Sequence, residues 1–408
     1  MEELKVPGRR HWDHLTAIGL FSTALAILIF PAFYAVVGIL FNLYQATPNP
    51  WDAAMVVEGW RAANGLPVYE DQITGHATTM YGFAEPYVLG LLFNLLPPTK
   101  YVPQVLSLIS TAGILVLGVA TLRTCFDTKR LVLAGLSLVS LDVVFSYYSS
   151  GRPDLPAWLF GFTALWMAYF AHIRQNWWAT LFSGTLILVA VSFKQTAAML
   201  VLVPPIAVLL ENLIMDRSGW RVKMPDLLRS IVPGALGILY LVALYWLTPQ
   251  AYYYMVKVPA LYDVYIGWFI WMTWRFLAAA ACLWLALGTV LLAPRSLGHE
   301  WLRRVVWVGT AFIVTLPLSG ISAAKFGGSN NSVIPAWLSM TILIWLLLAP
   351  KFACFDRSAS SKTKPCSSGH IPQISDGATT VQEWPSEVLT RSHVGFVLLR
   401  GGSVGLFE

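Results

Sequence analysis

Apolar runs long enough to span a bilayer alternate with short polar stretches along most of this chain. They fall at about 15–44, 83–97, 104–122, 131–149, 155–171, 178–192, 196–211, 230–247, 266–293, 305–320 and 333–349. A hydrocarbon core of about 30 Å takes about 20 residues of helix, so the pattern predicts a bundle of membrane-spanning helices. The first run is too long for a signal-peptide core and has no Ala-x-Ala cleavage pattern. It predicts an uncleaved span behind a basic head of Lys5, Arg9 and Arg10.

Lysine and arginine placement decides which runs cross. If 83–97 crossed, the basic loop 123–130 would face outward and every later loop would invert. If it lies on the outer face, the basic residues of 123–130, Arg174, 212–229, 294–304 and the stretch from Lys351 all fall inside. The 83–97 run is also short, and Pro86, Pro97 and Pro98 interrupt or bound it. The expectation is an all-α polytopic membrane protein of about ten transmembrane helices. External juxtamembrane helices occupy the first loop, 45–103, and both termini are cytoplasmic. Residues 1–350 form the membrane domain. The stretch 351–408, with Ser, Thr, Pro and Gly from about Ser358, predicts a disordered cytoplasmic tail.

Composition sharpens this picture. Of 408 residues 57% are hydrophobic and 12% charged, and mean hydropathy is +0.63; a soluble domain carries about twice that charge. The net charge of +6 is scattered among apolar runs, which marks topology rather than nucleic-acid binding. Cys125, Cys282, Cys354 and Cys366 show no CxxC or zinc spacing, and the seven histidines include no HExxH. No metal site is legible, and dependence on a divalent metal stays open. Gly327 and Gly328 lack the Gly-Lys-Ser/Thr ending of a phosphate-binding loop, so nucleotide binding is unsupported.

The stretch 49–69, "NPWDAAMVVEGWRAANGLPVY", predicts one short helix. Asn49 suits the N-cap, Pro50 the first helical position, and Asp52 the first turn. Asn64-Gly65 followed by Pro67 is a stop signal. Ala53, Val56, Val57, Trp60 and Ala63 share a face, so this helix should lie on the membrane surface, with Asp52 at that face's edge. Glu58 and Arg61, three apart, can pair. Asp52 then has two readings: a helix cap, or a surface carboxylate available as a general base.

The predicted topology gathers further charges at the outer ends of spans. These are Glu70, Asp71, His76 and Glu85 in the first loop, then Arg152 and Asp154 in "SSGRPDLP". Lys194 and Gln195 in "SFKQTA" follow, then Lys257 and Asp263, and finally Lys325, Asn330 and Asn331 in "AAKFGGSNNS". Ionisable groups at such depth face a cavity or one another, although lysines and arginines near helix ends also snorkel. The rings of "WFIWMTW" and "YYYMV" read first as an interfacial belt.

The pattern D-x5-E-x-x-R-x3-G-x-P-x-Y, running from Asp52 through Glu58, Arg61, Gly65 and Pro67 to Tyr69, resembles the first external loop of GT-C glycosyltransferases. "YGFAEPYVLGLLFNLLP" is similar to that family's Pro-containing juxtamembrane segment. "GRPDLPAW" and "AKFGGSNNSVIPA" are similar to its outer Asp and its late Lys-Gly-Asn loop. Protein mannosyltransferases of the family carry an adjacent Asp-Glu pair; here Ala53 follows Asp52. The resemblance implies a hexosyl or pentosyl transferase of the bacterial cytoplasmic membrane. It would use a polyprenyl-phosphate sugar as donor and an unspecified hydroxyl of a lipid, glycan or protein as acceptor. Asp52 would be the base, and Arg152, Lys194 and Lys325 the cations for the donor phosphate. Asp154, Glu58, Arg61 and Asn330 would orient these groups or contact sugar. The rival classes are a transporter or lipid flippase, for which no inverted repeat is found, and a non-catalytic subunit descended from such an enzyme.

Overall fold

The computed structural model describes residues 9–45, 50–70, 80–139, 149–215, 223–271, 274, 299–325 and 330–360. Eleven helices organise them: α1 Arg9–Tyr44, α2 Pro50–Ala63, α3 Ala84–Phe93, α4 Tyr101–Leu122, α5 Thr128–Val139, α6 Asp154–Arg174, α7 Trp177–Phe193, α8 Val203–Met215, α9 Met224–Leu247, α10 His299–Ala324 and α11 Ile334–Ser360. Among the described residues the one β feature is an isolated bridge between Val264 and Lys325. The protein is an all-α polytopic membrane protein. Among the described residues, five helical stretches are long and apolar enough to cross: Tyr101–Leu122, Gln195–Met215, Met224–Leu247, His299–Ala324 and Asn331–Ala349. Ala32–Tyr44 and Trp177–Phe193 are shorter apolar helices. The rest of the 131–149 run beyond Val139, and most of 266–293, fall outside the described residues.

The segment expected to stay on the surface is α3, whose 10 residues rise only about 15 Å. At the far end, α11 continues to Ser360, through the first ten residues of the stretch expected as a tail. The chain divides after Ser358, and the second unit, Ala359–Glu408, lies almost wholly outside the described residues.

The core is built around the α6–α7 hairpin. Gln175 turns the chain in the left-handed region (φ 54°), and Asn176 caps α7 by accepting from the amides of Trp178 (2.9 Å) and Ala179 (3.2 Å). Trp158, Ile187, Leu200 and Ile334 fill the centre. Ile238, Leu239 and Trp246 of α9 instead point outward. On a soluble protein that exposure would be a liability, whereas lipid solvates it. After α7 the backbone is extended at Lys194, then tightens into a 3-10 stretch, Gln195–Leu202, before α8. That break leaves a lysine at the end of a span.

Polar side chains collect at the two ends of the bundle. One end holds Asp52, Arg152, Asp154, Lys194 and Asn331. The other holds Glu211 with Arg303 (2.6 Å) and His172 (3.3 Å), Asp226 with Arg229, and Glu300 with Arg304 (3.0 Å).

Candidate active site

The site begins with α2. Its bounds follow the expected start and stop, and Gly65 carries the positive φ (67°) that ends the helix; Asn49 lies outside the described residues. Val57 and Trp60 face outward, while the side bearing Asp52, Met55, Glu58 and Gly59 turns inward. Gly59 and Gly90 let α2 and α3 meet closely. A Cβ on Gly90 would come within 2.9 Å of Ala62 Cβ and 3.0 Å of the Ala63 amide nitrogen.

Asp52 is only 4% exposed. Its Oδ1 accepts from the Gly151 amide (3.0 Å) and its Oδ2 from Gln104 Nε2 (3.3 Å). These donors come from α4 and from the loop before α6, not from α2's own first turn. Of the two readings of Asp52, the geometry therefore departs from a simple helix cap. Burial pushes its carboxyl above the usual 3.8; the Gly151 and Gln104 hydrogen bonds and the charges of Arg152 and Lys100 pull the other way.

Beside it lies a charge cluster centred on Asp154, the first residue of α6 and fully buried. Lys194 pairs with its Oδ1, Asn331 Nδ2 donates to the same oxygen (3.0 Å), and Arg152 Nε stands 3.4 Å from Oδ2. Two cations share one carboxylate, so these three groups together carry a net positive formal charge. Arg152 Nη2 also donates to Tyr81 Oη (2.7 Å), and both Arg152 and Lys194 lie 6.0 Å from the centre of that ring.

Tyr81 is placed by Gly82. The Gly82 amide donates to Phe193 O (3.1 Å), and a Cβ there would fall 1.8 Å from Ser192 O. Only glycine lets the loop press so close to the end of α7. Tyr69 Oη donates to Tyr81 O (2.6 Å) and Gln195 Nε2 to Met80 O (3.0 Å), fixing the loop from both sides. Ser107 of α4 donates to the Ser150 and Arg152 carbonyls, which holds the other wall.

Glu85, in the first turn of α3, is fully buried, and neither carboxyl oxygen has a hydrogen-bond partner among the described residues. Burial and the nearby charges of Asp154 and Asp52 push its carboxyl well above 4.5, against the pull of Arg152. Both influences shift the balance toward the protonated form.

Of the residues singled out from sequence, Asp52, Arg152, Asp154 and Lys194 come together. Glu58 is buried near Tyr69, whose phenol its charge helps push up. Arg61 does not pair with Glu58; it turns to Glu70 and to the Pro67 carbonyl (2.9 Å), because the Gly65–Pro67 turn folds the chain back over it. Lys325 donates to Pro259 O (2.8 Å), tying α10 to the segment after α9 rather than joining the cluster. Asn330 opens the 3-10 turn Asn330–Val333, and the next residue, Asn331, is the one that reaches Asp154. Asp71 and His76 lie outside the described residues. Sequence reasoning had not chosen Tyr81, Glu85 or Gln104 for the site. The signal for the first two was the tight "YGFAEP" stretch, with a glycine and a proline around an apolar-flanked acid. Gln104 is one of few polar residues in the first turn of an apolar helix. No group of three or more His, Cys, Asp and Glu among the described residues is placed to hold a metal.

Two short juxtamembrane helices thus lay a carboxylate over the end of a bundle of membrane-spanning helices. A solved structure similar to this one is ArnT from Cupriavidus metallidurans, determined with undecaprenyl phosphate bound. The two share 14% sequence identity with a TM-score of 0.52, over 81% of this chain and 60% of that one. The likeness is one of fold, and this chain spans about 60% of the length of that structure. No protein-family model and no curated protein sequence matches the chain.

Proposed function

We propose that this protein is a membrane glycosyltransferase. In this reading it moves a hexosyl or pentosyl group from a polyprenyl-phosphate sugar to a hydroxyl of a lipid, glycan or protein at the outer face of a bacterial cytoplasmic membrane. The observation that carries the reading is the juxtaposition of a buried carboxylate, Asp52, with the Arg152–Asp154–Lys194 cluster under the two juxtamembrane helices. The undecaprenyl phosphate bound to the similar ArnT structure supports a polyprenyl phosphate as the donor's carrier.

The chemistry asks for a base and for a cationic seat. As the acceptor oxygen attacks the anomeric carbon, its proton passes to Asp52. The bond from that carbon to the phosphate oxygen breaks, and the phosphate gains negative charge. Arg152 and Lys194 meet that growing charge. Asp154 holds the two cations before the donor arrives, so little reorganisation is needed at the moment of reaction. The arginine fork offers paired hydrogen bonds and the lysine a point charge. Glu85, in its protonated form, can donate a hydrogen bond to a sugar hydroxyl or to the phosphate.

The deciding experiment is transfer from a panel of labelled polyprenyl-phosphate sugars by membranes holding the wild type, Asp52→Asn, or no protein. Transfer by the wild type alone, with Asp52→Asn inserted at the same level, is the expected result. Equal transfer by Asp52→Asn would return Asp52 to a structural role. No transfer from any donor would favour the transporter or subunit reading.

A further inference from the structure

A cavity lies at the end of the bundle away from the Asp52 cluster. It measures about 570 Å³, within the range of ligand sites, and runs between α4, α6, α10 and α11. Its walls are apolar, with Ile114 and Leu117 on α4, Phe162 and Leu165 on α6, and Ala311 and Ile342 from α10 and α11. Its mouth is basic: Arg123, Arg174 and Arg304 line it, with Glu300 as the acid among them.

Glu300 is already engaged. It pairs with Arg304 (3.0 Å) and accepts from Tyr169 Oη (3.0 Å), and it stands 3.9 Å from Arg303. Arg304 is anchored further by the Thr121 carbonyl (2.8 Å). Arg123 and Arg174 have no acidic partner among the described residues; Arg174 lies over the Phe170 ring, 6.0 Å from its centre. The mouth thus carries two uncompensated positive charges above an apolar slot.

Depth decides what can fill it. Gln104, a partner of Asp52, and Arg123, at the cavity mouth, stand at opposite ends of α4. Nineteen residues of helix put them about 28 Å apart, close to the thickness of the hydrocarbon core. A phosphate held at Arg123 and Arg174 belongs to the other leaflet and cannot reach the Asp52 cluster. A zwitterionic headgroup would bring its own ammonium to the two arginines, whereas a net-negative one satisfies them.

We infer that this cavity is a binding site for an anionic phospholipid of the leaflet opposite the Asp52 cluster, its phosphate between Arg123 and Arg174 and one acyl chain between α4, α6, α10 and α11. A lipid seated there contacts α4, α6, α10 and α11 at once, so its binding stabilises the bundle. The inference stands on the cavity and its mouth, and is independent of any reaction at Asp52.

The test is photolabelling of the purified full chain with phosphatidylglycerol bearing a photoactivatable group on its acyl chain. Peptides covering 114–123 and 162–174 should take the label. Excess unlabelled phosphatidylglycerol should suppress labelling and phosphatidylcholine should not. Both arginines are exposed, so Arg123→Gln with Arg174→Gln is expected to fold; it should label about tenfold less. Asp52→Asn should label as the wild type does. A cavity-filling variant, Ile342→Trp, should lose labelling with both arginines kept. Labelling that is unchanged in the arginine variant, or equally suppressed by phosphatidylcholine, would overturn the assignment. Suppression by undecaprenyl phosphate stronger than by phosphatidylglycerol would also overturn it, giving the cavity to a prenyl lipid.

Discussion

Asp52 is a carboxylate whose hydrogen bonds and burial pull in opposite directions. Burial is the larger influence, so the folded carboxyl titrates above the ordinary 3.8. If it serves as the base, kcat/KM should fall on the acid side at a pH above that value. Gln104 donates to the charged form, and removing it raises the carboxyl further. Gln104→Leu should therefore move the acid limb of the rate profile to higher pH, which a pH series of transfer rates measures. Glu85 is the complementary case. Its folded carboxyl holds a proton that the unfolded one releases near 4.5, so the unfolded state binds fewer protons above that pH. Stability contributed by this group is present below the unfolded value and is lost as pH climbs toward the folded one. Glu85→Gln should flatten that decline, and thermal unfolding across a pH series reads it directly.

At the scale of elements, the site depends on how closely short helices and loops approach the bundle. Gly90 admits α2 against α3, and Gly82 admits the Tyr81 loop against the end of α7. Gly82→Ala puts a methyl where the Ser192 carbonyl stands, and backbone cannot yield as a flexible side chain can. The loop must lift, carrying Tyr81 away from Arg152. Because a displacement of about 1 Å at a reacting centre can cost about 100-fold, Gly82→Ala should cut transfer by about that factor. Membrane insertion, followed by the yield of folded protein in detergent, should be unchanged. The same expectation does not extend to Gly65, where a Cβ meets nothing within 4 Å and only the positive φ is at stake.

The whole molecule separates its polar groups by about the thickness of a bilayer, with the Asp52 cluster at one end and the Arg123, Arg174 and Arg304 mouth at the other. In the proposed topology, drawn from the basic loops and the positive-inside rule, the second end faces the cytoplasm. In a background without native cysteines, Gly65→Cys should react with a membrane-impermeant thiol reagent in intact cells whose outer barrier has been opened. Arg123→Cys should react only after the membrane is permeabilised. The reverse pattern would invert the proposed sidedness and place the cluster inside.

Much of the fold was readable along the chain. Span-length apolar runs, Pro50 at the start of α2 and Asn64-Gly65 at its end are local features, and backbone hydrogen bonding within a lipid phase leaves apolar runs little choice but helix. The Arg152–Asp154 pair was also visible, because the two residues are near neighbours. What the chain could not display was which distant polar residues meet. Asp154 finds Lys194 40 residues away and Asn331 177 away, and Asp52 finds Gly151 99 away. Lys325 and Asn330 were singled out by the same kind of evidence, yet one turned to the Pro259 carbonyl and the other gave place to its neighbour. Helix rotation and the close backbone approaches at Gly82 and Gly90 settle such pairings. The bilayer rewards burying any polar group against any partner, and packing alone selects among them.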